Sequence, residues 1–203
     1  GTGLAVDDAG AADITGATTS GYFPTGPGYR TSHPCGEGIE PSPFVVKVIP
    51  PGTALSYATY LYDTHLGGCN IYPAAIAVDG AGTAYIATRE MIEDPPSMYH
   101  QHGRVWKLAP DGMALPYVVP IDDGRESSAL DVAVDGRGAA YAAGTTWVWG
   151  DDGPYDAMVV KLDAAGGALH RTSYIAGSAN DYGVGIAVDR AGQVYVTGDT
   201  TSA

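Results

Sequence analysis

Cysteine occurs only twice in the 203 residues, and lysine and arginine together only ten times. Cys35 and Cys69 belong to no C-x-x-C pair, so neither a zinc ribbon nor a thioredoxin-like redox motif is written here. Ten basic residues against 23 acidic ones leave a net charge of −13, a balance that repels a phosphate backbone and excludes nucleic-acid binding. No apolar run approaches the roughly 20 residues that cross a bilayer as a helix, so no transmembrane segment is expected. Nothing at the N-terminus reads as a signal peptide. The first residue is Gly1 and not Met, so either a leader has been removed or the chain starts inside a longer one. Also missing are a G-x-S-x-G elbow, an H-E-x-x-H pair, a P-loop and a Rossmann glycine pattern. An active site gathered from scattered loops needs none of these, so their absence argues against an enzyme without excluding one.

What is present is glycine, tyrosine and repetition. The chain has 29 Gly, 14 Pro and 14 Tyr, with 45% hydrophobic residues, which describes a folded chain of many turns and short strands. The stretch G-L-A-V-D-D-A-G at Gly3 returns as G-I-A-V-D-R-A-G at Gly185. The motif A-V-D-x-x-G occurs four times, with its Asp at Asp7, Asp79, Asp135 and Asp189 and its Gly at Gly10, Gly82, Gly138 and Gly192. Tyr85, Tyr141 and Tyr195 follow three residues later, and Asp13 takes that place in the first copy. Each copy is read as two strands around a tight turn whose Gly supplies a positive φ. The Asp is read as a turn residue whose carboxylate bonds nearby backbone N–H groups, because a residue repeated four times is architecture and a catalytic group is needed once.

A second block repeats three times at one spacing of Lys, Gly and Leu: Lys47, Gly52 and Leu55; Lys107, Gly112 and Leu115; Lys161, Gly166 and Leu169. It joins strand-like segments such as Phe44–Val48 and Leu55–Leu61 and is a second hairpin. The unit is thus four antiparallel strands, a to d, with Asp anchors 72, 56 and 54 residues apart. That period and composition predict an all-β fold, a β-propeller of four-stranded blades, with a β-sandwich as the runner-up. Blades are expected at about 1–69, 70–126 and 127–180, with half of a fourth at about 181–203.

The block A-V-D-x-x-G-x-x-Y, followed by V-V-K-L-x-x-x-G-x-x-L, a Tyr-rich strand and the link from Ser173 to Gly183, resembles the SBBP (seven-bladed β-propeller) repeat family of bacterial surface and secreted proteins. The resemblance covers almost the whole chain. It implies a propeller and a location outside the cytoplasm, at the cell surface or in the periplasm, and brings no catalytic residues. The second copy departs from it most, where Pro116 and Pro120 interrupt strand d.

In an up-and-down blade the a–b and c–d turns leave one side and the b–c and d–a connections the other. All insertions fall on the second side, in the b–c loops at about 17–43, 89–103 and 145–157, so a binding surface is expected there. Its candidate contacts are Tyr22, Tyr29, Tyr99, His100, His102, Trp147, Trp149 and Tyr155. Trp147 and Trp149 sit two apart, so an extended loop aims both rings one way, at a protein hot spot or a sugar. Cys35 and Cys69 fall on the same side and are expected to pair as a structural disulfide. His100 and His102, with His33 and His65, are the histidines a transition metal would use, but no carboxylate stands at a fixed spacing. Asp122, Asp123, Asp151, Asp152 and Asp156 offer oxygens to calcium without matching an EF-hand, so no cofactor is predicted.

Two functions follow from these features. The first is a non-catalytic scaffold that engages a protein partner, or copies of itself, through the long loops. The second is a carbohydrate-binding module or glycan-acting enzyme using the loop aromatics and acids. Three and a half blades do not close a ring of typically four to eight. The chain is therefore expected to be part of a longer propeller, or else to complete its last hairpin with strands from another polypeptide.

Overall fold

The computed structural model describes residues 1–34, 41–62, 70–94, 98–121, 125–147, 153–166 and 169–203. Cys35, Cys69, His65, Trp149, Asp122, Asp123, Asp151 and Asp152 lie outside the described residues, and with them the expected disulfide.

The fold is all-β. Strands β1 (Gly3–Val6), β2 (Ala12–Thr18), β3 (Ser42–Ile49) and β4 (Ala54–Tyr60) pair antiparallel in chain order as the first blade. The second is β5 (Ile71–Val78), β6 (Ala84–Asp94), β7 (Met98–Leu108) and β8 (Tyr117–Pro120). The third is β9 (Glu126–Val134), β10 (Ala140–Trp147), β11 (Asp156–Leu162) and β12 (Leu169–Ile175). A last hairpin, β13 (Asp181–Val188) with β14 (Val194–Thr200), is the a–b half of a fourth blade. Pro116 precedes β8 and Pro120 ends it, which holds this strand to four residues because proline has no N–H for the ladder. Among the described residues no helix is long and apolar enough to cross a membrane.

The repeated Asp and Gly build one turn four times. Oδ1 of Asp7, Asp79, Asp135 and Asp189 each accepts two backbone N–H groups, two and four residues on, at 2.8–3.0 Å. The fourth residue of each turn, Gly10, Gly82, Gly138 or Gly192, has φ between 77° and 82°, a conformation that a Cβ disfavours. Oδ2 is then free for a side chain. Tyr85, Tyr141 and Tyr195 donate to it at 3.2, 3.2 and 3.4 Å, whereas in the first blade Lys47 Nζ takes the place at 2.8 Å. Asp13, standing where the other copies have Tyr, meets the same Lys47 at 3.1 Å and accepts from Tyr57 Oη at 2.6 Å.

Blades stack by setting strand a of one onto the sheet before it. Ile76, Val132 and Ile186 occupy one repeat position and are 7%, 4% and 9% exposed, each buried against the preceding blade. Burial of such a side chain contributes roughly 1.5–3 kcal/mol. Leu4 holds that position in β1 and is 64% exposed, so the array is open at this face. Outer strands add a second lock. Tyr57 of β4 lies against Gly112 in the next blade's c–d turn, and Tyr117 of β8 lies against Gly166 in the turn after that. Polar bonds cross the same seams: Lys47 Nζ to Gly82 O at 3.4 Å, Tyr85 Oη to Gly138 O at 3.2 Å and Lys107 Nζ to Ala164 O at 2.6 Å.

Candidate functional site

On the side of the b–c and d–a connections an aromatic row crosses from the third blade to the last hairpin. Trp147 ends β10, Tyr155 stands just before β11 and Tyr182 is the second residue of β13. Trp147 and Tyr155 meet edge to face with centroids 5.2 Å apart, and Tyr155 and Tyr182 lie tilted at 5.6 Å. The backbone fixes the middle ring, because Tyr155 N–H donates to Asn180 Oδ1 at 3.0 Å and Tyr155 O accepts from Asp181 N–H at 2.8 Å. Tyr155 remains 37% exposed, so the middle ring is positioned by its backbone and still accessible. Arg125 borders it, 3.7 Å from Asp156 and 5.2 Å from the Tyr174 ring centroid. Asp156 is thereby tied to the arginine that precedes β9.

Two buried carboxylates underlie the second blade's part of this surface. Glu90, 1% exposed, receives Arg104 Nε at 2.6 Å and Thr88 Oγ1 at 3.4 Å, and Trp106 Nε1 donates to the same Thr88 at 2.9 Å. Burial pushes the Glu90 carboxyl up, and the Arg104 charge pulls against that shift. Glu126, 5% exposed, accepts Gln101 N–H at 3.1 Å and lies 3.1 Å from His100 Nδ1, bridging the second and third blades. Gln101 Nε2 donates to Ser128 Oγ, and Gly103 N–H to Ser127 Oγ at 2.8 Å, along the same seam. A satisfied network of this kind fixes the relative placement of two blades.

His100 and His102 thus stand beside different carboxylates. His100 turns to Glu126, and His102 is the cross-strand neighbour of Glu90. His33 stacks edge-on against Tyr60 at 5.3 Å and approaches Ser42 Oγ through Nδ1 at 3.3 Å. Among the described residues no group of three or more His, Cys, Asp or Glu is placed to hold a metal ion.

The long first b–c loop divides. Tyr22 projects into solvent at 90% exposure, while Phe23 packs on Phe44 at 4.5 Å. Further on, residues 27–30 run alongside the outer edge of β4. Ala58 N–H donates to Pro27 O at 3.2 Å, Tyr60 N–H to Arg30 O at 2.9 Å, and Arg30 N–H to Thr59 Oγ1 at 2.8 Å. Tyr29 N–H reaches Gly112 O at 2.6 Å, and its ring packs against the core shared by the first two blades. Tyr29 is therefore set apart from Tyr22 and from the aromatic row. Tyr99 lies on β7 in register with Glu93, at the loop end of the longest hairpin.

Sequence reasoning passed over Glu90, Glu126 and Tyr182. Tyr182 was within reach of the repeat alignment, since Tyr72 occupies the same position seven residues before its Asp anchor and is 38% exposed with Arg89 over its ring at 5.5 Å. The two glutamates occur once each, and no repeated spacing marks them.

No curated protein matches the sequence. Among solved structures the chain is similar to a gluconolactonase from Xanthomonas campestris important in glucose secondary metabolic pathways, with a TM-score of 0.46 and 16% identity. That match covers 96% of this chain and 54% of the other, so the chain spans about half the length of that structure. The SBBP family model, described as a beta-propeller repeat, matches residues 171–203, which run from β12 through the last hairpin. The SBBP-type repeat expected from the sequence is thus present in the chain, at residues 171–203.

Proposed function

We propose that this chain is a non-catalytic binding propeller that works outside the cytoplasm and engages a protein partner through its b–c/d–a face. The observation that carries the reading is the row Trp147, Tyr155 and Tyr182, held by backbone bonds yet open to solvent at Tyr155. Pre-ordered aromatic rings lose little conformational entropy on association and are the usual centres of protein–protein hot spots. Glu90 and Glu126 support a scaffolding role, since each is engaged by neighbours that hold β6, β7 and β9 in place. The edge-to-face contact of Trp147 with Tyr155 uses part of the ring surface that a stacked sugar would cover, which favours a protein over a glycan.

The test is cross-linking and co-migration of the purified chain with extracellular extract of the source cells, using Tyr155→Ala beside the wild type. A discrete protein complex that the variant loses supports the reading. Binding to a glycan array that the variant loses would replace it with the carbohydrate reading. An extracytoplasmic location carries with it a Cys35–Cys69 bridge, for which the native chain would weigh less than its reduced form by two hydrogens. An unchanged mass on reduction would remove that part of the proposal.

A further inference from the structure

At the opposite end of the blades, each seam between successive a–b turns has its own chemistry. Lys47 closes the first by bonding Gly82 O, and Tyr85 closes the second by bonding Gly138 O. The third, between the β9–β10 and β13–β14 turns, is an open hollow of about 450 Å³ lined by Asp135, Arg137, Tyr141, Lys161, Asp189 and Arg190 among others. Tyr141 holds the place of Tyr85 and likewise donates to the Asp of its own turn, Asp135, at 3.2 Å, but among the described residues it reaches no carbonyl of the next turn. No heavy atom lies within 4 Å of where a Cβ on Gly192 would stand, so this turn is uncovered.

Three of the chain's ten basic residues converge on this hollow, in a protein of net charge −13. Arg137 and Lys161 also line an adjoining depression beside Asp163. The Lys161 ammonium sits 4.8 Å over the Tyr141 ring centroid, and among the described residues none of the three cations forms a salt bridge. The two aspartates are directed into their own turns. Asp135 Oδ1 accepts the Arg137 and Ala139 N–H groups, and Asp189 Oδ1 accepts those of Ala191 and Gln193, while each Oδ2 accepts a tyrosine hydroxyl. The Lys161 charge acts on Asp135, but among the described residues none of the three cations donates a side-chain hydrogen bond to either aspartate.

We infer that this wedge binds a tetrahedral oxyanion, a phosphate or sulfate group, with Lys161 as a point charge and Arg137 and Arg190 as planar donors. Two guanidinium groups and one ammonium around a polar hollow are the donor set that such a group takes. The site lies across the molecule from the aromatic row, so it stands or falls independently of the partner-binding reading.

The experiment is an NMR titration of the chain with inorganic phosphate, inorganic sulfate and a phosphorylated monosaccharide, with chloride at equal ionic strength as the reference. The expected result is saturable movement of the Gly136, Arg190 and Gly192 amides. Affinity should fall about tenfold or more in Lys161→Gln and in Arg190→Gln, as loss of one charge-assisted bond implies. Both side chains are exposed, so unchanged spectra elsewhere show that each variant folds. Binding of the inorganic anions alone identifies a free ion as the ligand, and tighter binding of the sugar ester identifies an esterified group. Amides that follow chloride equally well, or variants that titrate like the wild type, overturn the inference.

Discussion

Asp131 on β9 joins two blades through Ile186 on β13: Asp131 Oδ2 accepts the Ile186 N–H at 2.8 Å, while Oδ1 accepts the N–H of Val132 at 2.8 Å. Val132 and Ile186 are the same repeat position in successive inner strands. The register of each shifts nearby, at Ala143/Gly144 opposite β9 and at Gly183/Gly185 in β13, and a bulge of this kind leaves an N–H without a ladder partner. Asp131→Ala is therefore expected to cost about 1–3 kcal/mol, as two backbone donors lose a charged acceptor. Urea unfolding measures the loss, and amide exchange at Ile186 should accelerate with it. Unchanged protection at Ile186 would show that the bond does not join the blades.

The tyrosine that follows each turn should matter according to what it meets. Tyr85 is fully buried and its single hydroxyl proton is shared between Asp79 Oδ2 and Gly138 O of the next blade, each at 3.2 Å, whereas Tyr195 is 56% exposed and meets acceptors only within its own hairpin. Tyr85→Phe should destabilise by roughly 1 kcal/mol and Tyr195→Phe by at most about half of that. Equal effects in denaturant unfolding would refute the seam-crossing role of Tyr85.

Residues 27–30 cover the outer edge of β4, and Gly28 allows the close approach. A Cβ there would stand 2.7 Å from Ala58 O and 2.9 Å from Thr59 Cβ. Gly28→Val should lift this segment and uncover the Ala58 and Tyr60 N–H groups, giving an edge strand able to pair with another chain. Light scattering across a concentration series should show a mass that rises faster for the variant than for the wild type. Identical curves would mean that the segment does not protect the edge.

Acid should weaken the third a–b turn with a defined sign. Burial pushes the Asp135 carboxyl up, but the N–H groups of Arg137 and Ala139, the Tyr141 hydroxyl and the Lys161 charge together hold it below the ordinary 3.8. The unfolded chain thus takes up the proton first as pH falls. This contribution is fully present above 3.8 and is lost as pH drops through the lower folded value. Asp135→Asn should be less stable at neutral pH and should lose stability less steeply below 3.8 than the wild type. Parallel acid limbs in urea unfolding would contradict this.

The four turns were readable because their chemistry is local: an Asp, two N–H groups and a left-handed Gly recur at one spacing, and each bond closes within four residues. Gly112 and Gly166 were legible only by half. Their positive φ follows from the c–d turn, but their contact with Tyr57 and Tyr117 of the blade before joins residues about fifty apart, and no spacing rule within a copy announces it. The path of residues 27–30 along β4 was hidden for a related reason. Backbone-to-backbone bonds use no particular side chain, so Tyr29 read as a loop aromatic although it is placed against the core. At the candidate surface, Trp147 and Tyr155 were found from the insertion that holds them. Glu126 was not, because its partners His100 and Gln101 belong to a different copy.

The Asp-x-x-Gly turn has one more implication, which concerns descent. All of its backbone bonds arise within a few codons, so a stretch of DNA duplicated anywhere outside it carries a working corner to its new location. The seams are less uniform: Lys47 crosses the first and Tyr85 the second, whereas Tyr141 at the third stays with its own turn. A corner built this way also tolerates a change of partner, as where Lys47 and Asp13 replace the tyrosine contact of the other three turns.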